Sequence, residues 1–330
     1  MRTYLRYRTT TIGLAVLLAT VAGGAQVSQD NLSFSLNVHE FGHPDLSAAT
    51  VRRVIDIHEA LGVPVDVFLT TTMVDLFEIG DPNLMERLRT SPWVAVSYHV
   101  RPPKPYYTGY DWLDLGSQAA DQVYATVMNY ETHGLDLTTG RPTDQAGGFV
   151  KLTRLIGHAP YIVGALAEPS LTSSVDRVFA DLGARMQVVH GRVVNLGESR
   201  HGLYCRPEHV DLKLYEHVGE EPNAVVESAL TEAHAREGAV APFFVGVKMH
   251  DNNFFATRTS WGVIYAGSDR MPPWDMSYRS PLKTEAQQAR IWALYEGTVS
   301  YAASIRSRVN GLNAPGILTM IEPGTSSVSP

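Results

Sequence analysis

Residues 33–39 read Ser-Phe-Ser-Leu-Asn-Val-His, so polar and apolar side chains alternate along the whole segment. A period of two residues indicates a β-strand with one face against an apolar core. Residues 45–61 follow with apolar side chains at helical spacing, and Gly62 then provides a common helix stop. This strand-helix unit is the building block of an α/β fold.

The same alternation of strand-like and helix-like segments continues along the chain without a linker-like break. Further strands are predicted at residues 64–70, 93–99, 143–148, 161–166, 186–190, 242–250 and 316–321. Strands that alternate with helices indicate parallel pairing through right-handed crossovers. We therefore expect an α/β fold with a single domain over residues 26–322, a closed (β/α) barrel of seven or eight parallel strands. A doubly wound open sheet is the alternative, although no glycine-rich phosphate loop follows the first strand.

The two ends of the chain differ from this pattern. Residues 1–25 resemble a secretory signal peptide, because three arginines precede an apolar run at residues 12–22 and small residues follow that run. The run is too short to span a bilayer, so we expect a secreted or periplasmic protein without a membrane span. The tail at residues 323–330 is predicted to be frayed.

The composition limits the class of partner. The chain has 330 residues, of which 44% are hydrophobic and 18% are charged, which is enough apolar material for a large core. Its 27 Lys and Arg residues against 34 Asp and Glu residues give a formal charge of −7, and no basic run interrupts the sequence. Nucleic-acid binding needs concentrated positive charge, so we expect no nucleic-acid partner.

Three predicted strands end in a histidine on their polar face. These residues are His39, His99 and His250, and Glu40 and Asp251 immediately follow two of them. In a parallel barrel the carboxyl ends of the strands surround the mouth, where active sites are built. Imidazoles and carboxylates in one place suit either metal ligation or acid-base catalysis.

Other side chains are candidates for substrate contacts. Lys248 and Asp66 fall on the inward face of their strands, so each is expected to have a polar partner, and Lys248 is also placed to reach a substrate. The connections after His99 and His250 are long and aromatic, and exposed rings suit stacking on sugars. The candidate substrate-binding residues are Lys248, Tyr98, Tyr106, Tyr107, Trp112 and Trp261.

Over residues 33–255 the order of elements resembles the polysaccharide deacetylase family, the chitooligosaccharide deacetylase-like barrels. The resemblance rests on residues 37–40 at the end of the first strand, the strand 65–70, Ser97-Tyr98-His99 and the segment 247–250. It implies a metal ligand at His99 and a general acid at His250. His39 and Glu40 stand where that family has paired aspartates, and Pro103 stands where it has a second histidine, so the metal motif has diverged.

These observations lead to one expected function and two alternatives. We expect a secreted carbohydrate-active hydrolase that acts on a polysaccharide or oligosaccharide through a metal-activated water. His39 and His99 would bind a divalent, zinc-like metal that Asp251 or Glu40 could complete, with His250, Asp251 and Glu40 as the catalytic candidates. One alternative is a glycoside hydrolase or lyase that uses two carboxylates among Glu40, Asp251 and Glu322. The other is a non-catalytic glycan-binding barrel.

Overall fold

The computed structural model describes residues 30–265 and 271–323. The predicted signal peptide at residues 1–25 and all but the first residue of the predicted tail lie outside these ranges. Within the ranges, strands alternate with helices as the sequence pattern predicts. No helix of the described residues is long and apolar enough to cross a membrane.

The elements are numbered here in chain order. The strands are β1 (Asp30–Val38), β2 (Val65–Leu69), β3 (Val94–His99), β4 (His133–Asp136), β5 (Arg141–Ala146), β6 (Ile162–Gly164), β7 (Met186–Gln187), β8 (Ser199–Arg200), β9 (Leu203–Cys205), β10 (Val210–Lys213), β11 (Phe244–His250) and β12 (Val309–Gly311). The α-helices are α1 (Pro44–Leu61), α2 (Thr71–Gly80), α3 (Pro82–Thr90), α4 (Ala120–Thr132), α5 (Gly148–Ile156), α6 (Thr172–Asp181), α7 (Pro222–Ala235), α8 (Asp251–Phe255), α9 (Ser260–Tyr265), α10 (Glu285–Ser304) and α11 (Ala314–Ile321).

Most strands form one curled sheet. The order is β10-β11-β1-β2-β3-β6-β7-β9-β8, and β12 pairs with the start of β1. All neighbouring pairs are parallel except β8 with β9. Within the described residues no strand pairing joins β8 to β10, so the sheet is a half-barrel and the predicted closed barrel is wrong. The short strands β7 to β9 offer too few backbone partners, and only an isolated bridge between Val194 and Glu208 crosses this region.

The register confirms which side chains face the concave side. Lys248, Ser35, Asp66 and Ala95 lie in one row across β11, β1, β2 and β3. Because side chains in register on parallel strands share a face, this row fixes the inward parity of the four central strands. The parity is the one that the alternation of polar and apolar residues predicts.

The convex side of the sheet forms the main apolar core with the helices. Val51 and Val54 of α1 are fully buried there, as is Val67 of β2. Helix α1 begins with Pro44 and ends at Gly62, whose φ of 62° is the left-handed conformation that glycine adopts at little cost. Helix α1 is thereby fixed at both ends against the sheet.

The amino end of the concave side is filled by α11. The sequence pattern predicts a strand at residues 316–321, and that prediction is wrong because the segment is helical. Asn313 caps the helix by accepting a hydrogen bond from the N–H of Gly316 at 3.4 Å. Ile317 and Leu318 are one helical turn from Ala314, and these three buried side chains pack against Phe244 and the other inward apolar residues. A short apolar run does not distinguish a strand from a buried helix.

Two further regions differ from the sequence prediction. The strand predicted at residues 143–148 exists as β5, but it pairs with β4 in a separate antiparallel hairpin. Strands β8, β9 and β10 were not predicted, because each has four residues or fewer and too short a pattern to read. Leu135 of this hairpin and the neighbouring Leu137 line the cavity that also contains His39 in its wall.

Candidate active site

The curled sheet brings the three strand-end histidines together. The ring centres of His39 and His250 are 4.9 Å apart, and those of His39 and His99 are 6.2 Å apart. His39 is 2% exposed and His99 is 8% exposed, so both rings are almost fully removed from water. The side-chain parity of β1, β3 and β11 predicts this cluster at the carboxyl edge of the sheet.

Two of these rings present an unpartnered nitrogen. His99 donates from Nδ1 to the carbonyl of Gly164 at 3.1 Å, and His39 Nε2 lies 3.0 Å from Oδ1 of Asn252. A carbonyl or amide oxygen only accepts, so each of those ring nitrogens carries the hydrogen. The remaining nitrogens, Nε2 of His99 and Nδ1 of His39, hold lone pairs and are buried without a partner. Both are available to accept a hydrogen bond or a proton.

Burial keeps the cluster neutral. It lowers the pKa of His39 well below its ordinary value, and the neighbouring His250 and the positive charge of Arg101 lower it further. The pKa of His99 is likewise lowered well below its ordinary value, mainly by burial and next by Arg101. Burial, followed by Arg101 and Lys248, lowers the pKa of His250 to about 3. At neutral pH all three are therefore uncharged imidazoles.

Asp251 stabilises the local backbone instead of facing the cavity. It is fully buried, and its carboxylate accepts hydrogen bonds from the N–H groups of His39 at 3.2 Å and Glu40 at 3.0 Å and from the hydroxyl of Ser47 at 2.7 Å. Burial raises the pKa of Asp251 to about 7. A carboxyl group with these partners has a positioning role, so the geometry does not support the expected catalytic role of Asp251.

Glu40 is engaged in the same way. Its carboxylate accepts from the N–H of Ser260 at 2.8 Å and from the hydroxyls of Ser260 and Ser280, and the side chain is fully buried. Glu322, the third carboxylate of the predicted glycosidase, forms a 2.5 Å ion pair with Arg185 at the opposite end of the sheet. Glu322 therefore lies apart from the other two carboxylates proposed for glycosidic cleavage. Glu40 and Asp251 are close enough to interact electrostatically, but both accept hydrogen bonds from the protein.

The donor set does not fit the expected zinc-like metal. A metal site requires several lone pairs directed at one point. Among residues 30–265 and 271–323, no group of three or more His, Cys, Asp or Glu side chains is placed to hold an ion. Asp251 and Glu40 are already engaged, and Pro103 offers no side-chain donor. Among the described residues, His39 and His99 thus lack the further ligands of the predicted site.

The inward charges predicted to need partners have them, although they do not pair with each other. Lys248 Nζ donates to Oδ2 of Asp211 at 2.5 Å. Asp66 accepts from the N–H of Ala314, the first residue of α11, at 3.0 Å. Asp66 thus lies between the histidines at the carboxyl edge and the start of α11.

A cavity of about 290 Å³ opens beside His39. It is lined by Trp261 and Arg101 and, on its apolar side, by Phe41, Leu76, Leu135, Leu137 and Met276. The Trp261 ring lies 6.1 Å from that of His39, centre to centre. Trp261 is the predicted substrate-binding aromatic residue that the structure places on the cavity wall.

The other predicted aromatic contacts lie elsewhere. Tyr98 faces the convex side of the sheet, where it is fully buried and its hydroxyl bonds Thr71 at 2.6 Å. The hydroxyl of Tyr106 bonds buried Glu131, and that of Tyr107 accepts from Arg101. Trp112 packs edge to face on Trp274, with ring centres 5.3 Å apart. In these positions Tyr98, Tyr106 and Trp112 stabilise the protein, and Tyr107 positions Arg101.

Four residues of the site were not predicted from sequence. Arg101 follows His99 by two positions, and Asn252 follows His250 by two. Tyr215 stacks on His250 with ring centres 5.4 Å apart, and His190 lines a second, smaller pocket together with His99 and Lys248. The positions of Arg101 and Asn252 just after strand ends were a usable signal, because such loops build the active sites of parallel sheets.

Comparison with known proteins shows relatives by structure alone. No protein-family model matches the chain, and no curated protein matches it. The 4-α-glucanotransferase from Thermococcus litoralis has a TM-score of 0.52 at 10% identity, covering 88% of this chain and 40% of that chain. The chain thus spans about two-fifths of the length of that enzyme.

Two other structures resemble the chain less closely. A GH57-type branching enzyme from the hyperthermophilic archaeon Pyrococcus horikoshii has a TM-score of 0.47 at 10% identity, covering 89% of this chain and 70% of that chain. A protein assigned as a polysaccharide deacetylase from Mycobacterium smegmatis has a TM-score of 0.44 at 11% identity, with coverages of 91% and 93%. At these identities, what the chain shares with the glucanotransferase is its fold.

Proposed function

We propose that this protein is a carbohydrate-active hydrolase that removes an acyl group from a polysaccharide or oligosaccharide at the histidine cluster. The observation that carries the proposal is the pair of buried, unpartnered imidazole nitrogens, Nε2 of His99 and Nδ1 of His39, at the carboxyl edge of the sheet. The glucanotransferase with the same fold is a carbohydrate-acting enzyme by name, which supports the substrate class. The signal-like residues 1–25 support export of the protein.

The chemistry assigned to the site uses imidazole in place of a metal. Nε2 of His99 takes a proton from water while the water oxygen bonds to the acyl carbon. The bond from that carbon to the sugar nitrogen or oxygen then breaks, and the leaving atom takes up a proton. Lys248 lies two residues before His250 on the same strand face and lines the same small pocket as His99, so we assign this proton to Lys248. The low pKa of His250 leaves it neutral, and it cannot supply the proton as an imidazolium.

The test is hydrolysis of acetylated glycans by the full chain. With N-acetylated chitooligosaccharides and O-acetylated xylan as probes, we expect wild type to release acetate, and His99→Gln to release it about a hundredfold more slowly. His217→Gln, in an exposed pair with Glu220, is the matched control and should keep the wild-type rate. Circular dichroism should show both variants folded. A wild-type rate in His99→Gln would refute the proposal.

The metal hypothesis is tested in the same assay. Because the proposed site works without a metal, a chelator should leave the rate unchanged. Activity that a chelator abolishes and zinc restores would return His39 and His99 to the role of metal ligands.

A second candidate, a glycan-binding protein without catalysis, is favoured by one observation. The two carboxylates nearest the cluster, Asp251 and Glu40, are engaged by hydrogen bonds from the protein, and among the described residues no group of side chains is placed to hold a metal ion. Glycan binding at the cavity without release of acetate or reducing ends would support this candidate over the hydrolase.

A further inference from the structure

Arg101 has an unusual place in the cavity. Its guanidinium carbon lies 4.7 Å from the ring centre of Trp261 and 5.6 Å from that of Tyr107. Nη1 donates to the hydroxyl of Tyr107, whereas Nε is buried without a hydrogen-bond partner. The two aromatic rings therefore hold the guanidinium in a fixed orientation at the cavity wall.

Two other charged residues that line the cavity, Lys104 and Asp75, have partners of opposite charge. Lys104 pairs with Glu131 at 3.2 Å, and Asp75 pairs with Lys151 at 2.5 Å. In the described part of the chain, no carboxylate lies within 4.0 Å of the Arg101 guanidinium. An oriented cation without a counter-ion is costly in a partly buried place.

Arg279 adds to this charge. It lines the same cavity, and its Nη1 donates to the backbone carbonyls of Met276, Ser277 and Tyr278 at 3.0 to 3.1 Å. Within the described ranges Arg279 likewise has no acidic side chain within ion-pair distance. Among the residues that the structure describes, neither guanidinium group of the cavity has an acidic partner, on a chain whose formal charge is −7. A positively charged cavity on a negatively charged protein favours an anionic ligand.

We infer that the cavity binds a sugar unit that carries a carboxylate, with the carboxylate paired to Arg101. This rests on the proposed function and narrows its substrate class to acidic glycans. A planar guanidinium matches the two oxygens of a carboxylate with two parallel hydrogen bonds. The apolar walls formed by Phe41, Leu135 and Met276 suit the C–H faces of a compact, singly charged sugar better than a doubly charged, strongly hydrated group.

Calorimetric titration of the full chain tests the inference without any need for turnover. The probes are trimers of galacturonate, mannuronate and glucuronate, each compared with its methyl ester, which keeps the ring and removes the charge. We expect at least one acidic trimer to bind about ten- to a hundredfold more tightly than its ester. In Arg101→Gln this difference should disappear, and in Arg101→Lys it should shrink.

Arg290→Gln, which removes an exposed guanidinium from α10, is the matched control and should keep the full preference. Equal binding of acid and ester, or a preference that survives in Arg101→Gln, would overturn the inference while leaving a carbohydrate function intact. Inorganic sulfate that binds as tightly as the trimers would also overturn it, because the site would then be a general anion site. Failure of every sugar to bind would refute the inference together with the proposed function.

Discussion

The two ends of the concave side of the sheet are built for different purposes. At the carboxyl edge, His39, His99 and Arg101 present buried nitrogens that lack partners. At the amino edge, the same strands contribute apolar side chains that α11 covers completely, with Ile317 and Ala314 fully buried. One strand face is thus apolar and sealed at one end, polar and incompletely satisfied at the other.

This difference shows how the fold separates stability from function. The contacts under α11 remove apolar side chains from water, so they stabilise the folded state. At the mouth, one nitrogen each of His39, His99 and Arg101 is buried without a hydrogen bond, which reduces stability and is tolerated where a ligand can supply the missing partner. Substitutions at the amino edge should therefore change the free energy of unfolding, and substitutions at the carboxyl edge should change ligand binding.

The largest effect on stability is expected at α11. Ile317→Ala removes a fully buried side chain between the helix and the sheet. The free energy of unfolding should fall by about 2–5 kcal/mol, the cost of such cavities, and denaturant titration measures it. Thr319→Ala, on the exposed side of α11, is the control and should change it by less than about 0.5 kcal/mol. The folded fraction of Ile317→Ala should bind glycan as wild type does. Weaker binding would contradict the division of stability and ligand binding between the two edges.

A smaller, pH-dependent effect is expected at Asp66, on the boundary between the ends. Burial raises its pKa from 3.8 to about 6, although Arg206 opposes the shift. Because the folded state holds this proton more tightly than the unfolded state, the resulting stability is complete below about pH 4 and is lost as the pH rises through 6. Asp66 should contribute about 2–3 kcal/mol to the fall in unfolding free energy between pH 4 and pH 7.

Asp66→Asn should remove that part of the pH dependence, because the amide cannot ionise. Thermal and denaturant unfolding at both pH values measure the difference from wild type. Asp121→Asn, on the exposed surface of α4, is the control and should leave the pH dependence of the unfolding free energy unchanged. If the unfolding free energy depends on pH in the same way in wild type and Asp66→Asn, the folded protein does not raise the pKa of Asp66.

The sequence predicts the long, periodic elements of the fold and fails on the short ones. The alternation in β1, β3 and β11 fixes the strands and their inward faces correctly. Residues 316–321 mislead because six apolar-rich residues fit a strand as well as a buried helix, and only tertiary contacts decide between them. The open side of the sheet could not be predicted either, since closure depends on backbone pairing by strands of two or three residues.

For the site, sequence predicts where side chains lie better than what they contact. Parity alone brings His39, His99 and His250 together. Parity does not predict the contacts of Asp251. Its carboxylate accepts hydrogen bonds from His39, Glu40 and Ser47, which lie more than 200 positions away in the chain. Tyr98 misleads for a related reason, because an aromatic residue beside a site residue in a strand points to the opposite face.

The central claim, that glycan binds at the three-histidine edge, is tested most directly by nuclear magnetic resonance of the histidine rings. The chain has 12 histidines, and single His→Gln variants would assign their ring signals. Addition of an N-acetylated chitooligosaccharide or an acidic trimer should shift the signals of His39, His99 and His250. The signal of His58, which is buried on the convex side and bonded to Tyr295 at 2.7 Å, should stay unchanged. Glycan binding that leaves all three cluster signals in place and moves others would contradict the account.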